Sequence, residues 1–222
     1  MIPESVFFFL AGAALVTAFY RSWQSPERLI KRTLAATPTT RVADARDGVG
    51  VKIVGVVEPG HAPILRSALT SRACLYYCVI VQKRSSNGAS WSTIIREERG
   101  VDFQVRDASG AALVRPDHAQ TVLIADEKHE ISAFAPVNER LERFMRERGQ
   151  STRDLLLPPH LRAEEAILVA GKRVAVAALA RWEADADGNT VNYREPARRL
   201  TLATAGDVPL LISDYPVAFG PR

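Results

Sequence analysis

Cysteine is nearly absent from this chain of 222 residues; the only two are Cys74 and Cys78. Two cysteines cannot build a disulfide framework. They cannot complete a four-ligand zinc site unless histidines join them. His61, His118, His129 and His160 are scattered, and none stands at finger spacing from a cysteine. Catalytic motifs are missing too. There is no G-x-x-x-x-G-K-[ST] loop, and the nearest piece, AGKR at Ala170–Arg173, lacks the earlier glycine. G-x-S-x-G, H-E-x-x-H and G-x-G-x-x-G do not occur. In EADADGNTVNYRE, acids fall at calcium-loop positions 1, 3 and 5 from Glu183, but Arg194 holds position 12. That place needs a bidentate acid. A hairpin bend at Asp187-Gly188 is the better reading. No metal, no cofactor and no catalytic residue is expected.

Long apolar runs are also scarce, and the single one opens the chain. VFFFLAGAALVTAFY, Val6 to Tyr20, is 15 residues without a charge. At ~1.5 Å per residue it covers about 22 Å; Ile2 to Trp23 reaches about 33 Å, against a hydrocarbon core of ~30 Å. Val6, Phe7, Phe8, Phe9, Leu10, Leu15, Val16 and Phe19 form the apolar girdle, with Tyr20 and Trp23 as interfacial aromatics. A secretory signal would start with a base and end in a small-x-small site; this run starts beside Glu4 and ends in AFYRSW. Residues 1–23 therefore read as a single-pass transmembrane helix. Arg21, Arg28, Lys31, Arg32 and Arg41 follow it, which places the bulk of the chain in the cytoplasm by the positive-inside rule. Ala14 and Ala18 permit helix-on-helix packing, so a homo-oligomer is possible on this pattern.

What remains is an ordinary domain composition. Apolar residues make up 47%, charged residues 24%, and the net charge is +4. That is enough for one sizeable core or two small lobes. The basic balance fits an anionic membrane surface or nucleic acid, but a plain excess of arginine is the better account.

Residues 24–47 read as a juxtamembrane linker. Pro26 to Leu34 extends a short amphipathic helix, with Leu29 and Ile30 on one side and Arg28, Lys31 and Arg32 on the other; ATPTT breaks it. From Gly48 the texture turns to short β-rich runs with turn punctuation. VGVKIVGVVEPG and CLYYCVIVQK are strands, SSNGAS is a turn about Asn87-Gly88, and WSTIIREER returns with Trp91, Thr93 and Ile95 on one face. VDFQVRD and AALVRP form a hairpin about Asp107–Gly110, and TVLIAD closes the group. Asn138 to Gly149 is a helix with Leu141, Phe144, Met145 and Arg148 in register. AILVAGKRVAVAALARWEAD is a long strand, or a pair bent at Gly171, followed by TVNYRE, RRLTLATAG and VPLLISD. The fold class is mainly β: two small barrel- or sandwich-like lobes, about 48–126 and 165–214, with one or two helices, the N-terminal transmembrane helix and a tail at 215–222. In a strand, Cys74 and Cys78 lie ~13 Å apart, too far for a disulfide. CLYYCVIV is apolar on both faces and reads as a central buried strand.

Three segments together resemble the GIDE family: Val49–Val57, which follows G-x-V-x-I-x-G-x-V with Val49 in place of the first glycine, the leucine-serine-arginine-cysteine segment ending in C-x-Y-Y at Leu69–Tyr77, and F-x-V-x-D-x-[ST]-G-x-x-x-V-x-P at Phe103–Pro116. EEAILVAGKRVAVAALA and LTLATAGDVPLLIS are similar to its later strands, so the likeness covers about 48–214. Animal members are the mitochondrial ubiquitin ligase activators, membrane-anchored proteins with a C-terminal RING finger. The resemblance implies a membrane-bound domain and, for whole members, ubiquitin-protein transfer. It also implies a non-cytoplasmic location in the mitochondrial members, against the charge rule. A RING needs eight cysteine or histidine ligands, and this chain has no such segment. The expectation is a membrane-anchored interaction or scaffold domain that binds a protein partner. The alternatives are RING-type ubiquitin transfer and an OB-like module for lipid heads or nucleic acid. The last rests on basic charge alone and would need aromatics exposed on one sheet face. Tyr76, Tyr77, Asp107 and Gly110 are the candidate binding residues. The alternative for all four is structural: a hairpin turn, and core tyrosines with bonded hydroxyls.

Overall fold

The computed structural model describes residues 26–85, 88–131, 137–150, 160–185 and 197–220. The apolar run expected to span a membrane lies outside them, as do Asn87, the Asp187-Gly188 bend and TVNYRE. Among the described residues no helix is long and apolar enough to cross a membrane.

The chain is mainly β. Its strands are β1 (Gly50–Pro59), β2 (Leu65–Arg66), β3 (Ala73–Cys74), β4 (Tyr76–Arg84), β5 (Trp91–Gly100), β6 (Phe103–Asp107), β7 (Gly110–Val114), β8 (Gln120–Val122), β9 (Glu127–Ile131), β10 (Leu161–Leu168), β11 (Arg173–Ala184), β12 (Arg198–Ala203) and β13 (Leu211–Ser213). Among the described residues there are two α-helices, α1 (Pro26–Ala36) and α2 (Glu139–Glu147).

The larger sheet runs β1-β6-β7-β12-β11-β13-β8, and β11 pairs back onto β1 to close its first five strands into a barrel. Within the barrel all neighbours are antiparallel except β7 and β12, which are parallel; β13 extends the sheet antiparallel to β11 and carries β8 parallel to itself. A five-stranded Greek-key barrel of this kind is the OB arrangement. Alternation fills it: Val51, Ile53 and Val57 from β1, Phe103 and Val105 from β6, Ala112 and Val114 from β7, and Leu200 and Leu202 from β12 point inward. β11 contributes Val174, Val176, Ala178 and Ala180. Gly55 lets β1 bend across β6, since a Cβ there would lie 2.3 Å from the Arg106 carbonyl oxygen.

The second sheet is ordered β5-β4-β10-β9, with β4 interior as its apolar pattern requires. One face packs on the barrel through Tyr76, Cys78 and Leu168. The other buries Tyr77, Val79, Val81 and Ile167 under Leu141, Phe144 and Met145 of α2. Asn138 caps α2, its side chain accepting from Arg140 N at 2.9 Å, and Gly149 ends it at φ +70°.

Several expectations need correction. The β strands do not divide into lobes at 48–126 and 165–214. The barrel and the second sheet each draw strands from both halves. The bend at Gly171 (φ +86°) separates β10 from β11, which enter different sheets. A bulge opposite Val81/Gln82 lets Ile94 slip out of register, so Thr93 and Ile95 do not share a face.

Within the expected linker 24–47 and tail 215–222, the described residues 26–47 and 215–220 are packed on the barrel. In α1, Ile30 and Leu34 are buried against Ala175, Leu211 and Ala218, while Leu29 is 63% exposed beside the bases. Val42 and Ala45 join the barrel core, and Ala45 O accepts from Trp182 Nε1 at 2.8 Å. Lys52 locks these pieces together. It is 1% exposed on β1, and its ammonium donates to Leu34 O (2.8 Å) and Ala218 O (3.3 Å). Leu34 O is one of the four carbonyls left open at the end of a helix, and a cation is favoured there. Desolvation lowers the Lys52 pKa. Lys52→Met is expected to cost about 1–3 kcal/mol. Hydrogen exchange should rise across α1 and the Pro216–Phe219 turn and stay unchanged in the barrel strands.

Candidate functional site

The β4–β5 hairpin sends neighbouring residues to opposite faces, so Tyr76 and Tyr77, directly opposite Gly100 and Arg99, reach diagonally to Glu98 and Glu97. Both tyrosine rings are buried and both hydroxyls are bonded. Tyr76 OH donates to Glu98 Oε2 at 2.6 Å, and Tyr77 OH donates to Glu97 Oε1 at 2.7 Å. Burial, then the bonded carboxylate, pushes each phenol pKa upward.

On the barrel-side face Glu98 also accepts from Cys78 Sγ at 3.6 Å and from Arg96 Nε at 2.8 Å. Arg96, Glu98 and Thr121 floor an open cleft of about 630 Å³ beneath Glu27 and Ile30 of α1.

The opposite face holds a more basic cleft of about 350 Å³, lined by Tyr77, Glu97, Glu147 and four arginines, Arg99, Arg140, Arg143 and Arg148. Arg148 donates to Glu97 Oε2 (Nε, 2.6 Å) while its guanidinium stacks on Phe144 at 3.6 Å. Glu97 is thereby committed. Burial raises its pKa, but the bonds from Tyr77 and Arg148 outweigh that and hold it low. Arg99, Arg140 and Arg143 are exposed at the mouth, and Arg143 has no polar partner among the described residues. Arg140 reaches Thr70 O at 3.4 Å.

The rim of this cleft, residues 67–71, is fixed from below. Glu165, 1% exposed on β10, accepts from Ser67 Oγ (3.0 Å), Leu69 N (2.7 Å), Thr70 N (3.2 Å) and Thr70 Oγ1. A buried carboxylate persists when its oxygens are satisfied this fully. Ser71 then turns through φ +58°.

Asp107 and Gly110 lie away from both clefts. Asp107 Oδ1 accepts from Ser109 N (2.6 Å), Ser109 Oγ (2.6 Å) and Gly110 N (3.0 Å), and Oδ2 accepts from Val42 N (2.8 Å). The pair therefore builds the β6–β7 turn and pins the Val42–Asp44 turn against it. Of the four candidates, Tyr77 alone lines the arginine cleft. Cys74 and Cys78 are free and buried, in β3 and β4. Among the described residues no His/Cys/Asp/Glu group is arranged to hold a metal ion.

Sequence reasoning passed over Lys52, Glu165 and the arginines. A lone lysine inside VGVKIVGVV was a legible signal, because a charge in an apolar strand must find carbonyls or an acid. The arginine cleft was not legible, since it joins β5 to α2 across a gap in sequence. No family model, curated protein or solved structure matches the chain.

Two outcomes follow. Burial, the larger effect, raises the thiol pKa to about 11 for Cys74 and about 12 for Cys78. Both should resist a disulfide reagent at pH 8 in the folded protein and react once urea unfolds it; fast native labelling would contradict the burial. Burial raises the Asp107 pKa, but its hydrogen bonds lower it further, so the net shift is downward. Its contribution is full above the ordinary carboxylate range and is lost as pH falls through the lowered pKa. Asp107→Asn should cost about 1–2 kcal/mol at pH 7. The gap from wild type should shrink below pH ~4 in urea melts.

Proposed function

We propose that the chain is a membrane-tethered recognition module of the GIDE type, holding a barrel-based domain against the bilayer for a protein partner. The observation that carries this is the fixing of α1. Trp23 and Pro26 are three residues apart, a reach of about 10 Å at most. From Pro26 onward the chain is helix, bolted to the barrel by Ile30, Leu34 and Lys52. A domain attached that closely to an anchor rides on the headgroups. The outer face of α1 suits that place. Leu29 stands exposed between Arg28 and Arg32, and Val217 of the adjoining turn is 54% exposed. Each base near an anionic surface contributes ~1 kcal/mol. The side of the second sheet that carries α2, turned away from the barrel, is then free to meet a partner.

Nucleic acid is less well served. The outward residues of β6 and β7 are Gln104, Arg106, Ala111 and Leu113, with no ring to stack on, and Arg106 is engaged with Glu58 at 2.8 Å.

Carbonate extraction of host membranes tests the tether. The full chain should stay in the pellet, and a version lacking residues 1–25 should be released. A short amine-reactive crosslinker applied to the intact membrane should give one discrete adduct with a second protein. Release of the full chain by carbonate would remove the tether, and the absence of any adduct would remove the partner.

A further inference from the structure

We infer that the arginine cleft between α2 and β5 binds an acidic peptide segment, through its carboxylate or phosphoryl oxyanions. The inference rests on the recognition reading above, and names the chemistry of the surface that the partner meets.

Charge comes first. Four guanidiniums against two glutamates leave the cleft at a formal +2. Arg148 is consumed by Glu97 and its own stack on Phe144. Glu147 lies 3.4 Å from Arg148, so it draws on the same arginine. Arg99, Arg140 and Arg143 therefore face the opening with little acid to answer them. Arg99 is 3.5 Å from Glu97 but 64% exposed at its side chain, where such a pair contributes little. Planar guanidiniums converging on one concavity match carboxylate and phosphate oxygens in pairs of hydrogen bonds.

Preorganisation comes second. Glu97 clamps Arg148 and Tyr77 into one wall, and Glu165 holds the 67–71 rim by four hydrogen bonds. A site already held in shape gives up less entropy on binding. Its volume of about 350 Å³ takes one or two acidic side chains and their backbone.

The choice of peptide over lipid follows from placement. Tyr77, Glu97 and Arg99 point to one face of the second sheet, while Cys78, Ile80 and Arg96 line the other face together with Glu27 of α1. The sheet thus stands between α1 and the cleft. Headgroups that meet the outer face of α1 do not reach Arg140 and Arg143.

The test is fluorescence anisotropy on the full chain in nanodiscs of zwitterionic lipid. The probes are three labelled heptapeptides: one with glutamates flanking a central phosphoserine, one with glutamate at that centre, and one with glutamine throughout. Either acidic peptide should bind at least about tenfold more tightly than the glutamine peptide, and weaken as salt is raised. The phosphoserine and glutamate probes report which oxyanion is preferred. The exposed Arg140→Glu, Arg143→Glu double variant should lose that advantage at an unchanged melting temperature. Arg143→Lys should keep part of it. Equal binding of all three peptides, full binding by the double variant, or stronger Arg140/Arg143-dependent binding of vesicles rich in anionic lipid would each overturn the inference. A crosslinked partner that survives the double variant would leave the recognition reading standing and remove this cleft from it.

Discussion

The pairing of β1 with β11 is the constraint on which this structure depends. It runs from Gly50 opposite Leu179 to Val56 opposite Arg173 and turns an open sheet into a closed barrel. Closure removes two exposed edges and gives the inward valines and leucines a common core. The outward side of β11 then becomes a floor. Ala175 and Ala177 are small enough for α1 to lie close over them. The segment after α1 follows the same strand pair, as Thr40 N donates to Lys52 O and Gly48 N to Ala180 O.

Charge is used where the backbone leaves gaps. Lys52 answers two carbonyls, Glu165 answers two amides and two hydroxyls, and Asp107 answers three amides and a hydroxyl. None of the three owes its place to an opposite charge. Each fastens backbone groups outside the strand ladders: Lys52 the end of α1 and the Pro216–Phe219 turn, Glu165 the 67–71 rim, and Asp107 the β6–β7 turn and Val42. The arginines at the mouth of the second cleft stand in contrast. They sit on a frame that such fastenings have already made rigid.

Much of the fold was written in local pattern. The alternation of VGVKIVGVVEP, the hairpin signal at Asp107–Gly110, the capped helix from Asn138 and the buried doubly apolar strand at Tyr76–Arg84 all appear as their residues imply. The sheets to which these strands belong could not be read. Strand pairing is a long-range choice, and the apolar runs of β10 and β11 look continuous although Gly171 sends them to different sheets. The single bulged residue Ile94 reversed the facing of WSTIIREER for the same reason. At the site, the tyrosines were visible as residues, but their partners were not. Glu97 and Glu98 lie across a hairpin, and Arg140, Arg143 and Arg148 lie on a helix that follows two sheets' worth of strands. The terminal segments were underrated because charge and proline suggested solvent, whereas Ile30, Leu34, Val42 and Ala218 are core.

The parallel seam between β7 and β12 also governs how the protein is made. β12 leaves the ribosome long after β7, and until it arrives β7 has β6 on one side and an open edge on the other. β1 waits in the same way for β11, as β4 waits for β10. During synthesis the nascent chain therefore carries three incomplete sheet edges, and such edges join to wrong neighbours most easily. The domain closes only once β10, β11 and β12 have all emerged, as its long-range topology requires.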